Sequence, residues 1–261
     1  MGWRRQATPD SSIHVSVCET PALPLTSRGW PVYYAQFEGF KARPRAPGGT
    51  FSGGEHEGST GLMRDAQEKI AALFAEHQGT VKAFLARERK SLEAAVELLV
   101  KAFRGGRRAF FFGNGGSAAD AQHLAAEFVN RFQRERPALP ALALTTDTSV
   151  ITSVANDRAF EEVFSRQLEA LAAPEDVAVA LSTSGTSPNV VRGVEAARKL
   201  GLRTIVFTGA GGADLARRAD VALMVPCGAT PRIQEVHMLA GHVLCHLVEE
   251  ALFADTGPAG D

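Results

Sequence analysis

FFFGNGGSAADAQHLAAE, residues 110–127, is the stretch of this chain that decides the fold. An apolar run typical of a buried β-strand meets a glycine-rich turn, and the turn opens a helix. The glycines allow backbone N–H groups to approach an anion closely, and the helix adds its positive dipole end. His123 and Glu127 are four residues apart and therefore share one helix face. An anion site beside a metal-binding or acid/base pair suggests an enzyme that acts on a sugar phosphate.

Composition excludes several other classes of protein. The chain has 261 residues, 45% of them apolar, and a formal net charge of −1, which gives no sign of nucleic-acid binding or a polybasic membrane patch. No apolar run approaches the roughly 20 residues that span a bilayer. The few scattered cysteines (Cys18, Cys227 and Cys245) fit reduced thiols better than a disulfide framework. We therefore expect a cytoplasmic protein that binds neither nucleic acid nor membrane.

The first part of the chain differs in composition from the rest. Residues 43–61 are rich in Pro, Gly and Ser and have neither a helical nor a strand period. Met63 comes just before the first helical pattern. We predict that residues 1–62 are a disordered arm or a non-native extension translated from a wrongly placed start. Residues 63–255 then form the folded domain, and residues 256–261 a flexible tail.

Strand and helix patterns alternate through the folded domain. Residues 64–104 have a helical period, which we expect Gly79-Thr80 to divide into an N-terminal helical pair. Strands are predicted at 108–112, 140–144, 177–181, 203–207 and 220–225. Helices are predicted at 116–131, 159–172, 187–200, 212–218 and 231–253. Short apolar runs joined by helices indicate an α/β fold, here a three-layer α/β/α sandwich with a five-stranded parallel sheet.

Two loops follow predicted strands at the edge of the sheet where open α/β proteins bind ligands. The first is the glycine loop, Gly113–Ser117, and the second is the serine loop, Ser182–Asn189. Hydroxyls and free N–H groups at a helix N-terminus form a phosphate site without any lysine. The alternative is an ordinary serine-rich turn, but the density of hydroxyls favours phosphate. No GxxxxGK[ST] sequence is present, which disfavours a nucleotide triphosphatase.

Two further groups of residues stay ambiguous on spacing alone. Asn156-Asp157 lies in a third loop, where an Asn-Asp pair before a helix is more often a cap than a site. The last helix offers several polar side chains, of which His242 and His246 are four apart and could chelate a metal together. Each of these histidines is more often a polar-face or satisfied core residue. The polar side chains are Gln234, Glu235, His237, His242 and His246.

The combined motifs resemble those of the bacterial phosphoheptose isomerases, which are sugar-isomerase (SIS) domain proteins. GNGGSAADAQHLAAEF, the AND segment, STSGTSPNV and RIQEVHMLAGHVLC have the order and spacing of that family, and the resemblance covers residues 63–253. It implies the SIS fold for residues 63–255. It also implies a cytoplasmic homotetramer with one Zn²⁺ per subunit. The implied reaction converts sedoheptulose 7-phosphate to D-glycero-D-manno-heptose 7-phosphate for nucleotide-activated heptose biosynthesis.

The resemblance also implies which residues form the site. The implied metal ligands are His123, Glu127, Gln234 and His242. The implied substrate contacts are Asn114, Gly115, Gly116, Glu127, Asn156, Asp157, Ser182, Thr183, Ser184, Ser187 and Gln234. Within this set Glu127 is the expected carbon-directed base and His242 the expected proton shuttle between oxygens.

One geometric feature of the implied ligand set points to more than one chain. Gln234 and His242 are eight residues apart, so a straight helix separates them by roughly 12 Å. We therefore expect an active site at a subunit interface, with ligands from different chains. The alternative function is a non-catalytic SIS-domain tetramer that binds the replication initiator protein. Such relatives generally lack the acidic residue and the histidine that are Glu127 and His242 here.

Overall fold

The computed structural model describes residues 57–254, with side chains from residue 65 onward. The predictions for residues 1–56 and for the tail lie outside the described residues. Five parallel strands form one sheet in the order β2-β1-β3-β4-β5. The strands are β1 (Ala109–Gly113), β2 (Ala141–Ala143), β3 (Val177–Ser182), β4 (Arg203–Gly209) and β5 (Val221–Val225). The prediction of a five-stranded parallel sheet is confirmed.

Helices cover both faces of the sheet. They are α1 (Glu57–Arg104), α2 (Gly116–Val129), α3 (Thr148–Asp157), α4 (Ser165–Leu171), α5 (Pro188–Lys199), α6 (Ala213–Ala216) and α7 (Thr230–Phe253), with a 3₁₀ turn at Phe160–Glu162. Successive strand residues point to opposite faces. Phe111 therefore packs in a core with α1, α2 and α7, while Phe110 and Phe112 pack in a second core with α3 to α6. The three-layer sandwich is confirmed.

Strand register places the two predicted loops side by side. Gly113, the last residue of β1, pairs with Leu181 of β3, and Ser182 pairs with Thr208 of β4. The carboxyl ends of β1 and β3 are therefore level, so the glycine loop and the serine loop leave the same edge of the sheet. This edge is where the remaining candidate residues need to converge.

The N-terminal helical pair is a single helix, so the predicted break at Gly79-Thr80 is wrong. α1 runs for 48 residues through both positions. Thr80 Oγ1 donates to Glu76 O at 2.9 Å, which satisfies its hydroxyl inside the helix. One glycine costs only about 1 kcal/mol of helix propensity, which the good helix formers on either side offset.

The segment before the 3₁₀ turn also differs from the prediction. Asn156 and Asp157 form the end of α3, whose N-cap Asp147 accepts a hydrogen bond from Val150 N. They do not lie in a loop ahead of a helix. The single helix predicted over 159–172 is the 3₁₀ turn followed by the short α4. The β-branched residues of α3 concealed its helical period, because such residues are weak helix formers.

α7 is, among the described residues, the one helix long and apolar enough by composition to cross a membrane. Its apolar residues, including Ile233, Val236, Leu244 and Val248, are buried in the core beside α1 and α2. This burial is typical of the central helix of a globular domain. The high mean hydropathy of α7 therefore has an explanation in packing.

We expect Gly79→Ala to raise the free energy of unfolding by about 0.5–1 kcal/mol. Gly79 is exposed in α1, and a Cβ built there meets no atom within 4 Å. Alanine adds helix propensity without a clash. Denaturant unfolding followed by circular dichroism measures the change.

Gly193→Ala is the matched control in α5. A Cβ at Gly193 would lie 2.7 Å from Phe112 Cε2 and 3.3 Å from Phe164 Cβ, so alanine there is expected to destabilise the protein. If Gly79→Ala destabilised the protein as Gly193→Ala does, an uninterrupted α1 would be contradicted.

Candidate functional site

Three predicted ligands from two helices meet at one point. His123 Nε2 lies 3.1 Å from Glu127 Oε1 on α2, and 3.4 Å from His242 Nε2 on α7. Potential ligand atoms of the three residues all lie within 4.8 Å of one another. The spacing of four residues on α2 explains why His123 and Glu127 are close. His242 lies beside them because α7 packs against α2.

Gly241 allows that packing. A Cβ at Gly241 would lie 2.5 Å from Leu124 Cδ2, so a side chain there would push α7 away from α2. Leu124 follows His123, and Gly241 precedes His242. The absence of a side chain at Gly241 therefore sets the distance between the two imidazoles.

The three side chains form a donor set that fits a divalent metal. Zn²⁺ binds histidine nitrogen at about 2.0–2.1 Å in tetrahedral geometry, which separates neighbouring ligand atoms by roughly 3.3 Å. The 3.4 Å and 3.1 Å separations at His123 match that spacing. The cluster is also reachable from solvent, with the side chains of His123 and Glu127 49% and 22% exposed.

Gln234 lies at the other end of α2, apart from this cluster. Its side-chain amide packs against Gly116 so closely that a Cβ at Gly116 would overlap Gln234 Nε2. His123 is seven positions beyond Gly116 on α2, which is roughly 10 Å along the helix. In the described residues of one chain, Gln234 thus borders the glycine loop. Its role as a metal ligand stays a prediction.

The glycine loop is tied to the start of α5 by a reciprocal amide pair. Asn114 Nδ2 donates to Asn189 Oδ1, and Asn189 Nδ2 donates to Asn114 Oδ1, both at 2.8 Å. Asn189 is 2% exposed and also accepts from Val190 N. The pair fixes Asn114 and still leaves it one N–H and one lone pair for a ligand. No local pattern predicts this pairing, because the two residues are 75 positions apart.

The serine loop is a compact turn with its hydroxyls at the sheet edge. Ser182 Oγ accepts from Gly185 N at 3.1 Å, and Ser184 Oγ accepts from Thr186 N at 3.2 Å. Gly185 has a φ of +69°, which favours glycine. Ser187 is the N-cap of α5 but makes no side-chain cap hydrogen bond, so this helix end is open to an anion.

Thr183 lies in the same turn as these serines, and its carbonyl accepts a hydrogen bond from Gly209 N at 3.1 Å. This bond ties the serine loop to the end of β4. The backbone of the loop is therefore fixed by the sheet. Within the loop Ser184 and Thr186 are exposed, whereas Ser182 is buried.

Asn156 and Asp157 stand apart from the other predicted contacts. Both are exposed, and within the described part of the chain their side chains hydrogen-bond only with each other, at 2.8 Å. A cavity of about 180 Å³ separates α3 from the glycine loop, and Ile151 is the α3 residue that lines it. The structure thus brings α3 near the glycine loop without bringing these two side chains there.

The other histidines of α7 point elsewhere. His237 is 1% exposed, and its Nε2 lies 3.3 Å from Thr208 O. Burial lowers the pKa of His237 from 6.5 to about 4, although the hydrogen bond to Thr208 O favours the charged form. His246 Nδ1 donates to Gln133 Oε1 at 2.8 Å. Among the α7 histidines, His242 alone joins the His123–Glu127 pair.

Residues 73–209 match the family model described as the SIS domain. The strand order and the two loops beyond the strand ends therefore belong to a SIS-domain protein. This is the class that the sequence motifs predicted.

Relatives narrow the class to one family. The phosphoheptose isomerase of Geotalea daltonii is 49% identical over 188 residues, or 72% of this chain and 98% of the relative. That of Aquifex aeolicus is 49% identical over 183 residues, or 70% of this chain and 96% of the relative. The solved structure of the Neisseria gonorrhoeae phosphoheptose isomerase is similar, with a TM-score of 0.67 and 40% identity over 71% of this chain and 99% of that one. The chain belongs to the phosphoheptose isomerase family, which favours an isomerase over a replication-initiator-binding protein.

His237 is expected to make stability depend on pH below neutrality. Its pKa is about 6.5 in the unfolded chain and about 4 in the fold, so only the unfolded chain gains a proton between those values. The full contribution is present above pH 6.5 and is lost, by about 3 kcal/mol, as the pH falls to 4. His237→Gln removes this dependence, which urea unfolding measured from pH 8 to pH 4 would detect.

His246→Gln serves as the control, because His246 is exposed. It should leave the acid slope as in the wild type. Parallel stability curves for wild type and His237→Gln would contradict the neutral, buried state of His237.

Proposed function

We propose that this chain isomerises sedoheptulose 7-phosphate to D-glycero-D-manno-heptose 7-phosphate through an enediolate. The product would supply nucleotide-activated heptose biosynthesis, and we expect the reaction in the cytoplasm. The observation that carries the proposal is the meeting of Glu127 with two imidazoles, on the helix that begins at the glycine loop. Family membership supports the same reaction.

In this proposal the two loops bind the substrate, and the side chains of Glu127 and His242 transfer protons. The serine loop binds the phosphate through Ser182, Thr183, Ser184 and Ser187, and the glycine loop lines the sugar with Asn114, Gly115 and Gly116. Glu127 transfers the proton between C1 and C2, and His242 moves protons among the oxygens. Gln234, which packs against Gly116, contacts the sugar near the glycine loop. Asn156 and Asp157 are proposed contacts that require α3 to approach the sugar.

Zinc is the proposed cofactor, one ion per subunit. His123, Glu127 and His242 would hold it, with Gln234 as the fourth proposed ligand. Bound zinc supplies Lewis-acid polarisation of the substrate oxygens and stabilises developing negative charge. The chain's own contribution is the carboxylate and the imidazole that exchange protons with the substrate.

A homotetramer with active sites at subunit interfaces is the proposed assembly. α1 exposes an apolar stripe, Ile70, Leu73 and Phe74, whose exposed fractions are 55%, 51% and 67%. Arg232, which lies two residues before Gln234, donates from Nη1 to Leu73 O at 2.8 Å. The stripe therefore adjoins the Gln234 end of the site. A second copy that covers the stripe would also approach that end, where one chain leaves the proposed ligand set incomplete.

Glu127→Gln is expected to abolish turnover, by about 10²–10⁴-fold or more, because the amide cannot accept the carbon-bound proton. Sugar-phosphate binding should persist, because the serine loop is unchanged. Formation of aldoheptose phosphate from sedoheptulose 7-phosphate measures the first effect, and calorimetric binding the second. In the wild type, chelator should remove activity and added zinc should restore it.

Glu169→Gln is the control, since among the described residues Glu169 forms an ion pair with Arg166 alone, on the surface of α4. It should turn over as the wild type does. A Glu127→Gln protein with near-wild-type turnover would refute the role of Glu127. A wild type inactive on sedoheptulose 7-phosphate with zinc present would refute the function itself.

Phe74→Asp should dissociate the tetramer, because it puts a charge in the apolar stripe that a second copy is proposed to bury. Light scattering coupled to size-exclusion chromatography gives the mass. Lys199→Glu, on the exposed side of α5, is a charge-changing control that should stay tetrameric. An unchanged mass for Phe74→Asp would contradict the proposed interface.

A further inference from the structure

A buried ion pair lies behind the metal-ligand cluster. Arg136 Nε donates to Glu249 Oε1 at 2.9 Å, and the two side chains are 0% and 2% exposed. Arg136 lies in the loop between α2 and β2, while Glu249 lies near the end of α7. Breaking a buried pair by removal of one partner is strongly destabilising, so both charges need the contacts around them.

The Glu249 carboxylate holds the loop by binding the loop's backbone N–H groups. It accepts from the N–H groups of Phe132, Gln133 and Arg134, at 2.7, 2.9 and 3.2 Å. Burial would raise the pKa of Glu249, but these hydrogen bonds and the Arg136 guanidinium lower it below the ordinary value. The carboxylate therefore stays charged and fixes three consecutive residues of the loop.

Arg136 holds the end of α2. Its Nη2 donates to Glu127 O at 2.8 Å, and its Nη1 donates to Phe128 O at 2.8 Å. The last carbonyls of a helix have no partner within the helix and carry its negative dipole end, so the guanidinium satisfies both. The backbone of Glu127 is thus fixed by a side chain that does not itself reach the cluster.

The loop also covers the other side of the cluster. The Phe132 ring stacks on the His242 ring, with centroids 5.3 Å apart and an interplanar angle of 30°. Gln133 accepts from His246, one turn beyond His242 on α7. The same three backbone hydrogen bonds to Glu249 therefore place the ring that limits how His242 can turn.

We propose that Arg136 and Glu249 are positioning residues that preorganise the metal-binding end of the site, fixing Glu127 through its carbonyl and His242 through Phe132. This inference rests on the proposed function for its effect on turnover, but not for its effect on metal binding. Side chains beyond the ligands themselves change metal affinity or activity by about 10–100-fold when substituted. Arg136 and Glu249 fit that role without touching the metal-ligand atoms.

The test is the zinc affinity of purified full-length variants, measured by competition with a chromophoric chelator. Arg136→Lys keeps the charge opposite Glu249 but cannot reach both α2 carbonyls, and Glu249→Gln removes the charge but keeps an acceptor. Each is expected to bind zinc about 10–100-fold more weakly. The visible spectrum of the Co²⁺-loaded Arg136→Lys protein should also change, because the ligand geometry changes. At saturating zinc, kcat should fall while KM stays within about threefold, because the serine loop that grips the phosphate is remote from the pair.

Arg203→Lys is the matched control, because Arg203 pairs with Asp220 at the opposite end of the sheet. It should bind zinc as the wild type does. Phe132→Leu tests the proposal if Arg136→Lys or Glu249→Gln fails to fold, because it removes the stacked ring without breaking the ion pair. It should weaken zinc binding by several-fold with little change in melting temperature.

The proposal would be overturned if Arg136→Lys and Glu249→Gln fold and bind zinc within twofold of the wild-type affinity. If those two variants do not fold, the same result for Phe132→Leu would overturn it. So would a wild type that binds no zinc. A wild type that binds zinc but does not isomerise sedoheptulose 7-phosphate would defeat the proposed function and leave this inference standing.

Discussion

The close contact between α2 and α7 is the interaction on which the site depends. Where Leu124 packs against Gly241, the two helices are near enough for His123 and His242 to face each other at 3.4 Å. A methyl group at Gly241 would widen this gap, because the leucine is buried and has little room to move. The geometry of the cluster is thus set by core packing, and the ligands themselves are secondary to it.

The sheet orients everything that surrounds this contact. Parallel strands present their carboxyl ends at one edge, so the loops after β1 and β3 meet there irrespective of their separation in sequence. The Asn114–Asn189 pair then joins these loops, so that the proposed sugar-lining and phosphate-binding regions keep a fixed separation. In the proposed function, a sugar phosphate held by the serine loop would therefore meet the glycine loop at a fixed distance.

Local patterns predicted the strands, both loops and the shared face of His123 and Glu127, because these depend on residues close in sequence. The continuity of α1 and the helix at α3 were missed, since a single glycine and several β-branched residues outweighed the true period. The Arg136–Glu249 pair spans 113 positions, and no periodicity relates its members. Spacing alone could not choose among the histidines of α7, and the family resemblance implied His242. The fold supplies the physical reason, because His237 is buried in the core while His242 meets His123.

The proposed mechanism asks Glu127 to act both as a ligand and as a base. A carboxylate that donates charge to a metal is a weaker base, so one oxygen cannot perform both tasks well. The backbone at Glu127 has little freedom to move, because Arg136 fixes its carbonyl and α2 packs against α7. Glu127 Oε1 already faces His123 on the ligand side of the cluster. A carboxylate has two oxygens with separate lone pairs, so the second oxygen would be available to take the proton from carbon. With the last turn of α2 held, Glu127 would need no movement of its backbone for one oxygen to face the proposed metal site and the other to exchange a proton with the substrate.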